Sequence, residues 1–128
     1  MKRVLVIDDD PFVLELLEGV LTEAGYVVRT CDDATELLGL VETFEPSVVI
    51  LDVGMAGVDG REAALSLVKR GRPVPILFYS ARPTAELHAI CHEIPRTSFI
   101  TKGTPMSTLV DSVRRIARAS GVFKAPDA

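Results

Sequence analysis

Short apolar runs alternate with amphipathic stretches along the whole chain. The runs cover residues 4–7, 26–30, 48–51, 75–79 and 98–101. Each is brief and bounded by turn or charged residues, which suits strands of a parallel sheet. Between the first two runs, Phe12, Val13, Leu16, Leu17, Val20 and Leu21 fall on one face at helical spacing. Asp10 is placed to cap this helix, Pro11 suits its first position, and Gly25 ends it. Ala34, Leu37, Leu38 and Val41 mark a second helix that stops before Pro46. Ala63, Ala64, Leu67 and Val68 mark a third, with Asp59 as its cap and Gly71 at its end. A weaker fourth helix covers about 84–92. Leu109, Val110, Val113, Ile116 and Ala117 mark a fifth, with Thr104 as cap and Pro105 in its first turn. Residues 121–128 carry no pattern and are expected to be loose.

Strictly alternating strands and helices predict an α/β fold: a doubly wound parallel sheet with helices on both faces and right-handed crossovers. The pattern alone leaves the strand order open. A chain of 128 residues makes one domain with a real core. A net charge of −4 argues against a general nucleic-acid or anionic-membrane surface. No apolar run spans a bilayer, and Met1-Lys2-Arg3 leads into only residues 4–7 before three aspartates. That is no signal peptide, so a cytoplasmic location is expected, without membrane association. Cys31 and Cys91 have no CxxC spacing and read as free thiols.

The chemistry sits at the carboxyl ends of the strands, where open parallel sheets bind ligands. Four of the five strands end in polar residues: Asp8 and Asp9, Asp52, Ser80, and Lys102. A parallel sheet brings these ends to one edge although they are far apart in sequence. The strand at 48–51 runs straight into Asp52, and Gly54, Gly57 and Gly60 follow, allowing sharp turns and close approach. Crowded carboxylates repel, and a hard cation with oxygen ligands relieves that; Mg²⁺ fits a site with few carboxylates plus waters. A carboxylate beside Mg²⁺ is able to attack a phosphoryl group and become an acyl phosphate. The transferred group then needs a cation and a hydroxyl, which Lys102 and Ser80 supply.

These residues resemble the receiver domains of two-component response regulators, the stand-alone chemotaxis type included. The likeness runs from about residue 2 to 119. It rests on Val-Ile-Asp8-Asp9-Asp10-Pro, on Leu-Asp52-Val-Gly-Met-Ala-Gly-Val-Asp-Gly60, on Tyr-Ser80-Ala81 and on Phe99-Ile-Thr-Lys102. It implies a flavodoxin-like five-stranded sheet in the order 2-1-3-4-5. It implies Asp52 as phosphoacceptor, served by a histidine kinase or histidine phosphotransfer protein, with self-catalysed phosphotransfer and autodephosphorylation rather than turnover of an external substrate. Asp8, Asp9 and Asp52 would hold Mg²⁺ with the backbone carbonyl of Gly54. Ser80 and Phe99 take the switch positions, so that the face of helix four, strand five and helix five signals to a partner protein or pairs weakly with a second copy. Residues 1–119 would form the receiver and 120–128 a short tail without an output domain. Four departures from the family pattern stand out. Met55-Ala56 replaces the usual Met-Pro, and Gly54 a larger residue. Gly103 replaces the proline after the lysine, and Phe99 the common tyrosine. For the Lys102–Gly103 peptide, a cis bond before a non-proline residue costs about 2.5–4 kcal/mol, so trans is expected.

Two other functions fit such a sheet. A small phosphatase with an aspartyl nucleophile resembles Asp-x-Asp-Gly-Thr or Val after the first strand, which Asp8-Asp9-Asp10-Pro11 lacks. A receiver-like interaction module that never takes phosphate would not need Asp9, Asp52, Ser80 and Lys102 together. His88 and His92 have a zinc-compatible spacing, but an ordinary helix face accounts for them. Arg114, Arg115 and Arg118 suit a helix C-terminus.

Overall fold

The computed structural model describes residues 2–55 and 59–124, with side chains to residue 119. In chain order the elements are β1 (Arg3–Ile7), α1 (Pro11–Glu23), β2 (Val27–Cys31), α2 (Leu37–Phe44), β3 (Val48–Leu51), α3 (Gly60–Lys69), β4 (Ile76–Ser80), α4 (Thr84–Glu93), β5 (Thr97–Thr101) and α5 (Met106–Lys124). All strand pairs are parallel, and the sheet order is β2-β1-β3-β4-β5. This is the doubly wound, flavodoxin-like arrangement.

Alternate strand residues feed two cores, one on each face of the sheet. Leu5, Ile7, Val49, Leu51, Ile76 and Phe78 pack against α2, α3 and α4 through Leu37, Val41, Ala64, Leu67, Leu87 and Ile90. Val4, Val6, Val48, Ile50, Leu77 and Tyr79 pack against α1 and α5 through Leu17, Leu21, Leu109 and Val113. β1 and β3 are clothed on both faces, which is why their sequences read as continuous apolar runs.

Caps start two of the helices as the sequence implies. Asp10 Oδ1 accepts from the Phe12 N–H at 2.9 Å, and Asp59 Oδ1 from the Arg61 N–H at 2.9 Å. Several boundaries move. The second helix begins with a 3-10 turn at Ala34–Glu36, capped by Asp33, before α2 proper. The last helix opens on the Pro105 carbonyl, which accepts from the Thr108 and Leu109 N–H groups, while the Thr104 hydroxyl pairs with that of Thr101. The same helix continues past Gly121 to Lys124, where the sequence pattern stops. One glycine in a helix costs only about 1 kcal/mol relative to alanine, too little to act as a stop by itself. Residues 125–128 of the expected tail lie outside the described residues, as do Ala56 and Gly57. The apolar stripe of α1 is wider than its buried contact: Leu17 and Leu21 are buried, but Phe12 is 73% exposed and Leu16 40%.

Candidate functional site

Strand register assembles the site. Ile7 pairs with Leu51, and the Asp52 N–H donates to the Ile7 carbonyl at 3.1 Å, so the next residues, Asp8 and Asp52, emerge side by side. Ser80 pairs with Thr101, and the Lys102 N–H donates to the Ser80 carbonyl at 2.8 Å, which sets Lys102 at the same edge. Residues separated by almost the whole sequence thus converge without any long loop reaching for them.

The carboxylates of Asp8, Asp9 and Asp52 offer oxygens that lie within 4.8 Å of one another. Asp8 and Asp52 are buried and Asp9 is exposed. Lys102 Nζ bridges the buried pair, 2.8 Å from Asp8 Oδ2 and 3.4 Å from Asp52 Oδ2. It also lies 5.7 Å from the centre of the Tyr79 ring, within cation–π range. Backbone amides fix the other carboxylate oxygens: Asp10 N–H donates to Asp8 Oδ1 at 2.9 Å and Gly54 N–H to Asp52 Oδ1 at 3.2 Å.

The electrostatics follow from that crowding. Burial pushes the Asp8 carboxyl above its ordinary value, and the charge of Asp52 adds to this; hydrogen bonds from Lys102 and the Asp10 amide pull the other way without cancelling it. For Lys102, burial pulls the pKa down. The hydrogen bond to Asp8 and the charges of Asp52 and Asp8 outweigh it, and the ammonium ends above its ordinary value. The site therefore pairs one firmly held cation with more negative charge than it neutralises. Three carboxylate oxygens around one point, with a single lysine against them, are the donor set that a hard divalent cation prefers.

A cavity of about 330 Å³ opens above Asp52, lined by Asp52, Gly54, Ser80, Ala81, Arg82, Pro83 and Lys102. The buried Ser80 Oγ accepts from the Arg82 N–H at 3.1 Å. Phe99 is half-buried beneath α4, and His88 meets its ring edge-on at 4.8 Å, with 81° between the planes. His88 thus has an aromatic partner, and among the described residues the one cluster suited to a metal is the aspartate group.

A larger pattern match decides the family. The response regulator receiver domain family matches residues 4–114. The chain belongs to that family. This receiver domain is 31% identical over 125 residues to the response regulator MprA of Mycobacterium sp. (strain KMS), an alignment that covers 98% of this chain and 54% of MprA. The chain therefore spans about half the length of the curated relatives it matches. The Vibrio cholerae chemotaxis protein CheY4 superposes with a TM-score of 0.83 at 25% identity, over 91% of this chain and 98% of CheY4. The Thermotoga maritima response regulator TrrA, solved in complex with Mg(2+)-BeF, gives a TM-score of 0.79 at 28% identity, over 91% of this chain and 99% of TrrA. Of the two alternatives, neither the phosphatase nor the phosphate-free module is favoured by these likenesses. Among the described residues no helix of the receiver domain is long and apolar enough to cross a membrane.

Sequence reading missed three features of this receiver domain. Arg82 lines the cavity, and its place two residues after Ser80 was the available signal. Gly60 approaches protein backbone rather than ligand: a Cβ there would sit 2.2 Å from the Asp52 carbonyl oxygen. Tyr79 was visible as a strand residue and as part of Tyr-Ser80-Ala81, but not as the ring beneath Lys102. The Lys102–Gly103 bond is trans, as expected, and Gly103 has φ +106°, open to glycine.

Proposed function

We propose that this receiver domain takes a phosphoryl group onto Asp52 from the phosphohistidine of a sensor kinase or phosphotransfer protein, and passes the signal to a partner protein. The observation that carries this reading is the Lys102 bridge between Asp8 and Asp52 at the floor of an open cavity. Mg²⁺ would be held by Asp8, Asp9 and Asp52 with the Gly54 carbonyl, and when bound supplies positive charge for the incoming phosphoryl oxygens. Asp52 is the nucleophile: one of its carboxylate oxygens forms the bond to phosphorus while the bond to the donor nitrogen breaks and its electron pair leaves with the imidazole. Lys102 is already held at the carboxylate and neutralises the product's added charge. The Ser80 hydroxyl donates to a phosphoryl oxygen, a charge-assisted bond that draws the strand-end loop inward. Phe99 then follows into the space vacated, and the surface of α4, β5 and α5 shifts between two states. That surface would receive the partner protein or a weakly held second copy.

The test is mass spectrometry of the intact protein after incubation with acetyl phosphate and Mg²⁺. One phosphate adduct is expected, absent in Asp52→Asn. An adduct that survives Asp52→Asn would reassign the acceptor.

A further inference from the structure

Arg82 is the one charged side chain lining the cavity that the reading above leaves without a role. Its guanidinium lies against the backbone of Gly54. A Cβ built at residue 54 would meet Arg82 Nε at 3.3 Å and Nη2 at 3.5 Å. Any larger residue at 54 would therefore compete with the arginine for that position. The third nitrogen, Nη1, is turned to Glu86 in the first turn of α4, 3.3 Å from both carboxylate oxygens. Both side chains of this pair are nearly half exposed, 46% and 43%. Exposed pairs of this kind are weak. Arginine meets phosphate through a planar fork that lysine does not have.

We propose that Arg82 is a second cationic arm of the phosphoryl site, admitted by the glycine at residue 54 and restrained by Glu86. The proposal rests on Asp52 being the acceptor. The ligand class is a small anionic phosphodonor such as an acyl phosphate. When acetyl phosphate enters the cavity, Arg82 leaves Glu86 and binds phosphoryl oxygens across from Lys102. The Asp52 oxygen then forms its bond to phosphorus, and the bond from phosphorus to the acyl oxygen breaks, its electron pair leaving with acetate. Glu86 competes with the donor for the same guanidinium, so the two residues of one surface pair act in opposite directions.

That opposition is what the experiment reads. Initial rates of Asp52 phosphorylation by acetyl phosphate with Mg²⁺ are measured on wild type, Arg82→Ala, Glu86→Gln and Gly54→Leu. Arg82→Ala should slow phosphorylation about tenfold, the loss expected for one charge-assisted bond. Gly54→Leu, which displaces the arginine without removing it, should slow it similarly. Glu86→Gln should speed it about threefold by releasing the arginine. An Arg82→Ala rate equal to wild type overturns the proposal, and so does a Glu86→Gln rate that falls with it. A wild-type protein that takes no phosphate fails at the earlier step, the Asp52 reading itself.

Discussion

The two sides of the sheet's polar edge are built differently. On one side, β1 and β3 carry Asp8 and Asp52 out of strands with almost no exposed residue. On the other, β5 has one buried residue in five, Ile100, and α4 buries only Leu87 and Ile90. The acidic half is thus fixed by continuous burial, while the half bearing Phe99 and Lys102 is held by fewer contacts. A phosphoryl site gains from that division. On the proposed reading Asp52 must not move, because phosphotransfer to it depends on pre-set geometry. The reporting face must move, because a signal needs two arrangements of similar energy. Elements that switch are drawn from the less stable part of a fold.

The largest effects should come from a pair of cross-strand neighbours. Phe78 of β4 pairs in register with Phe99 of β5, and both lie on the face covered by α4. Phe78 is 0% exposed, whereas Phe99 is half-buried with His88 at its edge. Phe78→Ala should cost about 3–5 kcal/mol in denaturant unfolding, the usual loss for a buried aromatic. Phe99→Ala should cost less than half of that, about 1–2 kcal/mol. Equal costs would erase the difference between the sparsely buried β5 and the fully buried strand beside it.

Gly60 tests the acidic half more locally. It opens α3, and its N–H donates to the Val53 carbonyl at 3.2 Å. A Cβ there would stand 2.2 Å from the Asp52 carbonyl oxygen and 3.0 Å from Val53 Cα. Both neighbours are backbone of the Asp52–Val53 segment, so neither can swing aside. Gly60→Ala should cost about 3 kcal/mol by overpacking. It should also lower Mg²⁺ affinity, measured by titration, because relief requires Asp52 itself to shift. Loss of stability with Mg²⁺ affinity unchanged would show that the strain is relieved through α3 instead.

How much of this was legible in the sequence follows from what each feature depends on. The strands were legible because burial on both faces leaves an unbroken apolar run, as in Val48–Leu51. Asp8, Asp52, Ser80 and Lys102 were legible because a parallel sheet has one carboxyl edge, and strand ends alone predict it. Features that depend on tertiary distance were not. Nothing in the periodicity of α1 distinguishes the buried Leu17 from the exposed Phe12, since both sit on the same broad stripe. Gly60 reads as a turn glycine until the Asp52 carbonyl is seen against it. Arg82 belongs to no motif in the sequence, and its place follows only from the missing side chain at Gly54, which makes room for it.

The smallest expected effect is at Gly103, on the half with fewer contacts. It follows Lys102 in the strand-five loop and has φ +106°, a region that side chains disfavour. Among the described residues, its two chain neighbours aside, no atom lies within 4 Å of a Cβ built there. Gly60 and Gly103 therefore need glycine for opposite reasons, one for space and the other for backbone angle alone. Gly103→Ala should cost only about 1–2 kcal/mol, the strain of holding a residue in a disfavoured region. A loop with open space around it has room to relax part of that strain by turning φ negative. Such a turn would re-aim Lys102, whose Nζ now bridges Asp8 and Asp52. The variant should then lose phosphorylation rate with acetyl phosphate while staying folded, whereas Gly60→Ala loses stability first. An alanine at 103 that leaves both stability and rate at wild-type values would mean that the lysine is aimed by its carboxylate partners alone. The loop would then contribute nothing to the site beyond connecting β5 to α5.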